Sequence, residues 1–439
     1  MPLSPVRYNQ NSSVGKSRKA KSMRLGVVLG LTMALFCGQV AAQAKSRVSL
    51  DEAISLALAH SPTLKALRTQ IPQSQAEEIT ANLRPNPVLS WDTQFIPLFQ
   101  PSQFSADYFN TTAQFDLGVG YLLERGGKRQ HRLEAAKNQT AVSRSQIADA
   151  ERTLTFNVAQ QFIGVLLAES NLQFANEALK SYQDTVNISQ ERYKAGDISE
   201  GDLLKIKLQT LQFQTDVSAA QIARTQALVA LRQLIGYDAL APDYDVVGDL
   251  AYQPLKLNED DLKVAALKRP DVVAAQQGVT LAQSQHTLEI ANGKRDLNAS
   301  FNYSHVAGVN TGAFFFNMEI PIFDRNQGEI KRTQYAIDQS NYTQTAAEET
   351  ALADVANAYE TFRSSDQVVQ LYTSGYLKQA QESRDISEYA YRGGAASLLD
   401  LLDAERSYRQ TQLAYRQALA NYMLSVEQVR EAVGMRNLP

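Results

Sequence analysis

The chain has 439 residues, 44% of them hydrophobic and 20% charged, with a formal net charge of -3 and a single cysteine. With a pI near 5.9 it has no basic footprint for nucleic acid, and one cysteine excludes both a disulfide framework and a thiolate metal cluster. Beyond the N-terminal segment nothing approaches the roughly 18 to 20 continuous apolar residues of a membrane helix, so any entry into a bilayer must be made by strands.

Residues 1–44 have the layout of a secretory signal. Arg7, Lys16, Arg18, Lys19, Lys21 and Arg24 form a basic front, Leu25 to Val40 an apolar stretch, and Ala42-Gln43-Ala44 a small-residue cleavage site. Met23 is an alternative start. Lipid attachment at Cys37 is an alternative processing route, although Leu35 and Phe36 are bulky where a lipid-modified signal carries small residues.

A helical run is predicted from Leu50 to Leu83. Val88 to Phe95 and Gln114 to Glu124 then alternate with period two, Leu89, Trp91 and Phe95 and then Phe115, Leu117, Val119, Tyr121 and Leu123 being apolar between polar neighbours. Each stretch is near the 9 to 11 residues of a tilted membrane strand, although alternation alone leaves a small soluble sandwich open. From about Gly127 to Tyr193 the chain is rich in Ala, Gln, Glu, Lys, Arg and Leu, without proline, and reads as one helix. At about 1.5 Å per residue such a helix spans on the order of 100 Å, too long to fold back on a compact core. A turn follows, then a returning helix from about Asp202 to Leu234.

The same order then recurs. A helix is predicted from Asp260 to Ala291, strands around Phe301 and Tyr303 and from Phe314 to Ile322, one long helix from about Gly328 to Tyr391, and a returning helix from Leu398 to Val433. The repetition extends to single residues. Tyr193, Gly196, Ser199, Asp202, Leu203 and Leu204 are repeated, about 198 residues on, as Tyr391, Gly394, Ser397, Asp400, Leu401 and Leu402. That phasing implies an internal duplication, with residues 45–245 as a first repeat (hairpin 88–124, tip 193–200) and 246–439 as a second (hairpin 298–323, tip 391–397). The expected fold is therefore mainly α with a membrane β part, each half running helix, strand, strand, long helix, helix.

Four strands in lipid would expose two unpaired edges, so the sheet must close by association. Two chains would give eight strands, a filled interior; three would give twelve, wide enough for a passage. A duct favours the trimer.

The signal, the duplicated order, the Tyr-x-x-Gly-x-x-Ser-x-x-Asp-Leu-Leu tips and the run Ile320-Pro321-Ile322-Phe323-Asp324-Arg325-Asn326-Gln327-Gly328 together resemble the TolC-like outer membrane efflux proteins of Gram-negative bacteria. That run, with Leu123-Glu124-Arg125-Gly126-Gly127-Lys128-Arg129, is most similar to the branch serving cobalt-zinc-cadmium resistance pumps. The resemblance implies a homotrimer with a twelve-stranded barrel in outer membrane lipid and a helical tunnel across the periplasm. It also implies a periplasmic adaptor and a proton-driven inner membrane transporter of the resistance-nodulation-division class as partners. This chain would be the exit duct for divalent heavy-metal cations, with no catalysis and no cofactor of its own.

Roles then fall on residues. Pro321, Phe323, Asp324, Arg325, Asn326, Gln327 and Gly328 would join the last strand to the long helix, Pro321 marking the strand end and Gly328 relaxing the backbone. Arg125, Gly126 and Gly127 would do so in the first half. Gly196 and Gly394 would permit the tip reversals, with Ser199 and Ser397 as caps. Ala195, Gly196, Asp197 and Ile198, with Gly393, Gly394, Ala395 and Ala396, are the expected adaptor contacts. Asp400 and Asp403 share one helix face, and in a trimer would form stacked carboxylate rings that favour cations. They match positions where relatives carry an acidic constriction, and Tyr391 matches a gate tyrosine. Ala396 stands where the best-known relative has a gate arginine, which leaves the closing contacts open.

His60, His131, His286 and His305 are too far apart in sequence for a helical or loop metal site. Other readings are the duct of a drug pump or of type I protein secretion, and a nontransporting periplasmic coiled-coil scaffold, which leaves the strands unexplained. No phosphate loop, nucleophile-base pair or metal triad supports an enzyme.

Overall fold

The structure, a computed structural model, describes residues 46–438. The proposed signal, with Cys37, lies outside the described residues. A capping box opens the first helix: the Glu52 N–H donates to Ser49 Oγ, and Glu52 Oε2 accepts from the Ser49 N–H at 2.8 Å. Strand β1 (Ser46–Val48) precedes α1 (Leu50–His60), α2 (Pro62–Arg68) and α3 (Gln70–Ala81). The single run expected over 50–83 is thus divided. Pro62 opens α2 and holds Ser61 extended (ψ 121°), because a proline ring excludes the helical conformation from the residue before it.

Strands β2 (Val88–Gln94) and β3 (Gln114–Leu123) are joined by a loop carrying the short helix α4 (Ala106–Thr111), so the first hairpin has no tight turn. Then come α5 (Lys128–Ala195), α6 (Glu200–Ile235) and β4 (Tyr244–Val246), the last parallel to β1. The second half has α7 (Glu259–Ala266), α8 (Pro270–Asn292), β5 (Leu297–Val306), β6 (Val309–Met318), α9 (Gln327–Leu371), α10 (Leu377–Arg392) and α11 (Leu398–Val433). Pro270 divides the helix expected over 260–291 just as Pro62 divides its counterpart, with Arg269 extended (ψ 147°).

Two further expectations are corrected. The last strand ends at Met318, so the hairpin stops short of 323. The second long helix is not continuous: Tyr372–Tyr376 forms a π-helical turn containing Gly375 at φ 149°, a conformation that glycine alone adopts readily. The first arm, α5, runs 68 residues unbroken between left-handed Gly127 and Gly196.

The two halves pack as equivalents. Leu231 and Ile235 are buried in one core with Val158 and Phe162. Val429 and Val433, at the repeat lag, lie in the other with Val355 and Phe362. A third cluster joins Tyr182, Ile206, Phe213, Tyr391 and Leu401 near the tips.

β2, β3, β5 and β6 form one antiparallel sheet in that order, bringing both hairpins side by side. Residues paired across a sheet share a face. The register puts Leu89, Val119, Phe301 and Phe314 in one row and Trp91, Leu117 and Tyr303 in the next. Trp91 is 78% and Phe314 73% exposed. The opposite face carries Ser90, Gly118, Asn302 and Asp92, Asp116, Ser304, Thr311, interrupted by Val88, Leu122 and Phe315. One face suits lipid and the other water. No described helix is long and apolar enough to cross a membrane.

The face assignment is testable within one strand. Phe314→Arg on the apolar face should cost about 2–4 kcal/mol near mid-membrane and reduce outer membrane insertion, read by fractionation and heat-modifiable migration. Phe315→Arg, one residue along and facing the other way, should insert normally.

Candidate functional site

At the first tip Gly196 adopts φ 85°. The Gly196 and Asp197 N–H groups donate to the Tyr193 and Arg192 carbonyls at 3.0 and 2.9 Å, closing α5. Ser199 Oγ accepts from the Asp202 N–H at 3.1 Å and opens α6. At the second tip Gly394 takes φ 75°, while Gly393 keeps a right-handed φ of -81°. Ser397 Oγ accepts from the Asp400 N–H at 3.2 Å, and Asp400 Oδ2 accepts in return from the Ser397 N–H and Oγ at 3.1 and 2.7 Å. Hydrogen bonds from these serines hold Asp202 and Asp400 below the usual carboxylate range. Ala195, Gly196, Asp197, Gly393, Gly394 and Ala395 are exposed, and Ile198 and Ala396 half-buried.

Tyr391 lies inside this chain's own helix packing, only 3% exposed. Its hydroxyl is 3.3 Å from Ser189 Oγ, and its carbonyl accepts from Arg192 Nη1 at 2.5 Å. The Arg192 guanidinium sits 4.9 Å from the Tyr391 ring centre, a cation–π contact. Tyr193, its repeat counterpart, is 40% exposed. Arg192 escaped notice in the sequence because its own counterpart is Ala390. Tyr182 stacks on Phe213 with ring centres 4.4 Å apart and completes the cluster.

Asp400 and Asp403 are both exposed at the start of α11. The duplicated position differs sharply in charge: Lys205 stands where the second half has Asp403, and its Nζ lies 3.5 Å from Asp202 Oδ1. The first tip's capping acid is thus neutralised, and the second tip's is doubled. Glu405, also missed in sequence, is partly buried one turn farther on; burial pushes its carboxyl up against the opposing pull of Arg384. Among the described residues no group of three or more His, Cys, Asp or Glu side chains is placed to hold a metal ion.

At the other end of the arms, Asp296 ties the two halves together, accepting from the Arg125 N–H at 2.9 Å and from Lys128 Nζ at 2.8 Å. Asn326, not Gly328, carries the left-handed conformation there, with φ 61°. Its amide donates to Glu289 Oε2 at 2.7 Å, and its N–H donates to Asp324 Oδ1, holding that carboxyl below its ordinary range. Gln327 and Gly328 already belong to α9, and Gly328 has open space where a Cβ would stand. Pro321, Phe323 and Arg325 occupy the bend after β6, with Pro321 three residues past the strand end it was expected to mark.

Because the folded-state pKa of Asp400 is depressed below 3.8, its capping contribution is complete above that value and is lost as pH falls through the folded pKa. Hydrogen exchange in the first turn of α11 should therefore accelerate as pH is lowered below about 4, relative to the intrinsic rate. Ser397→Ala should exchange severalfold faster at neutral pH and lose most of that acid dependence.

The profile of the outer membrane efflux protein family matches residues 53–237 and again 251–435. The cobalt-zinc-cadmium resistance protein CzcC of Cupriavidus metallidurans is 24% identical, over 85% of this chain and 87% of that protein. The cation efflux system protein CusC of Escherichia coli K12 is 28% identical, over 73% and 72%. A crystal structure of CusC superposes with a TM-score of 0.73 at 22% identity, covering 88% of this chain and 92% of that one. With both halves matched and the fold shared, this chain belongs to the outer membrane efflux protein family.

Proposed function

We propose that three copies of this chain close a twelve-stranded barrel and a helical tunnel, forming the exit duct of a tripartite pump for divalent heavy-metal cations. The names of the similar CzcC and CusC proteins, cobalt-zinc-cadmium resistance and cation efflux, support the cargo. The observation that carries the reading is the charge difference between the duplicated tips, Lys205 in one and Asp403 in the other. Around a three-fold axis Asp400 and Asp403 would place six carboxylates at the tunnel mouth, attractive to cations and repellent to anions. The open edges of β2 and β6 support closure by further copies. The exposed tip residues Ala195, Gly196, Asp197, Gly393, Gly394 and Ala395 support docking of a periplasmic adaptor, which would link the duct to a resistance-nodulation-division transporter. The two repeats, 45–245 and 246–439, would each supply half of every wall.

A strain lacking this chain should become sensitive to zinc, cadmium, cobalt, nickel, copper or silver salts, and regain resistance when it is restored. Sensitivity confined to hydrophobic drugs would keep the duct and overturn the cargo. In planar bilayers, replacing both Asp400 and Asp403 by Ala should reduce cation selectivity and raise single-channel conductance; unchanged currents would remove them from the gate.

A further inference from the structure

We propose that the strand-to-helix junction of the first half is a binding site for the phosphate head group of an anionic phospholipid in the membrane leaflet on the helical side of the sheet. The site is made by Arg84 and Arg129, which line one recess, with Arg125 farther along the same edge of the sheet, against Met318. It rests on the lipid-facing sheet and not on the identity of the cargo.

The argument begins with local charge. The acids near this junction are already paired: Glu124 holds Arg132 at 2.5 Å and Asp296 holds Lys128 at 2.8 Å. Arg84, Arg125 and Arg129 have no carboxylate within ion-pair distance among the described residues. Arg129 Nη1 reaches only neutral oxygens of Asn82, at 3.3 and 3.4 Å, and Arg125 Nη1 only the Met318 sulfur, at 3.3 Å. In a chain whose net charge is negative, this is a local surplus of positive charge.

Placement supplies the second part. Leu123, Leu297 and Met318 form the last row of the apolar face on the helical side, and Arg125 lies against Met318 of that row. Arg84 and Arg129 line a recess of about 310 Å³ with Tyr121 and Leu123 of that face, with Leu122 of the other, and with Glu124 and Lys128, whose charges are already paired with Arg132 and Asp296. Lipid chains lying on that face would end where these guanidinium groups begin. A guanidinium presents a planar fork that matches phosphate oxygens, and Tyr121 has the amphipathic ring suited to the interface. Along β3 the apolar face runs through Tyr121 and ends at Leu123, and the unpaired arginines follow, as phosphate follows acyl chain in a phospholipid.

The test uses the full protein in detergent micelles, with lipid retention measured by native mass spectrometry. Each arginine near an anionic surface is worth roughly 1 kcal/mol, or about fivefold. Wild-type protein should retain phosphatidylglycerol on the order of a hundredfold better than phosphatidylcholine. Replacing all three arginines by Gln should bring the two lipids level, with circular dichroism unchanged. Arg84→Gln alone, at an exposed side chain, should lower the preference severalfold and covers the case in which the triple variant fails to fold. Equal retention of both lipids by wild-type protein, or a preference that survives in the folded variants, would overturn the proposal. So would full displacement of phosphatidylglycerol by millimolar inorganic phosphate, since the site would then read free anions rather than lipid.

Discussion

The constraint on which the structure depends is the satisfaction of backbone hydrogen bonds in a solvent that offers none. An unpaired N–H or C=O in hydrocarbon costs several kcal/mol, and a sheet ordered β2-β3-β5-β6 has one open edge on β2 and another on β6. A single copy therefore cannot be stable in lipid. The duplication answers half of the problem inside the chain, since β3 of one half pairs along its whole length with β5 of the other. The remaining edges face outward at the two ends of the sheet, where another copy can pair with them.

The same register separates two environments with side chains of ordinary size. Period-two alternation puts Trp91, Phe301 and Phe314 on one face and Asp92, Asn302 and Ser304 on the other. The register places Gly118 on the polar face between Ser90 and Asn302, where a Cβ would stand 2.5 Å from Ser90 Oγ and 2.6 Å from Asn302 Oδ1. Those two side chains close over the strand, and a larger residue would have to turn them aside.

Duplication produces equivalent backbones but not equivalent sites. Both tips use a left-handed glycine, a capping serine and an aspartate, because such a glycine closes one helix and a capping side chain opens the next. The two tips meet where Arg192 of the first arm lies against Tyr391 of the second. Tyr391 is enclosed beneath Arg192 while Tyr193 stays at the surface, and Lys205 has become Asp403. The π-helical turn at Tyr372–Tyr376 interrupts the second arm only. The halves share a fold and differ in the side chains and backbone named above.

The sequence by itself determined the element types, the duplication, the tip chemistry and the two-faced strands, since these depend on local spacing: period two, proline-free helical composition, and glycine and serine at fixed offsets. It also carried the signals that were passed over, Pro62 and Pro270, which end helices through the conformation of the preceding residue. Only the tertiary structure decided that Tyr391 is enclosed, that Asn326 rather than Gly328 bends the junction, that β6 stops at Met318, and that Asp296 binds the two halves through Arg125 and Lys128. Each of these depends on which distant segment arrives alongside. No periodicity within one segment carries that information.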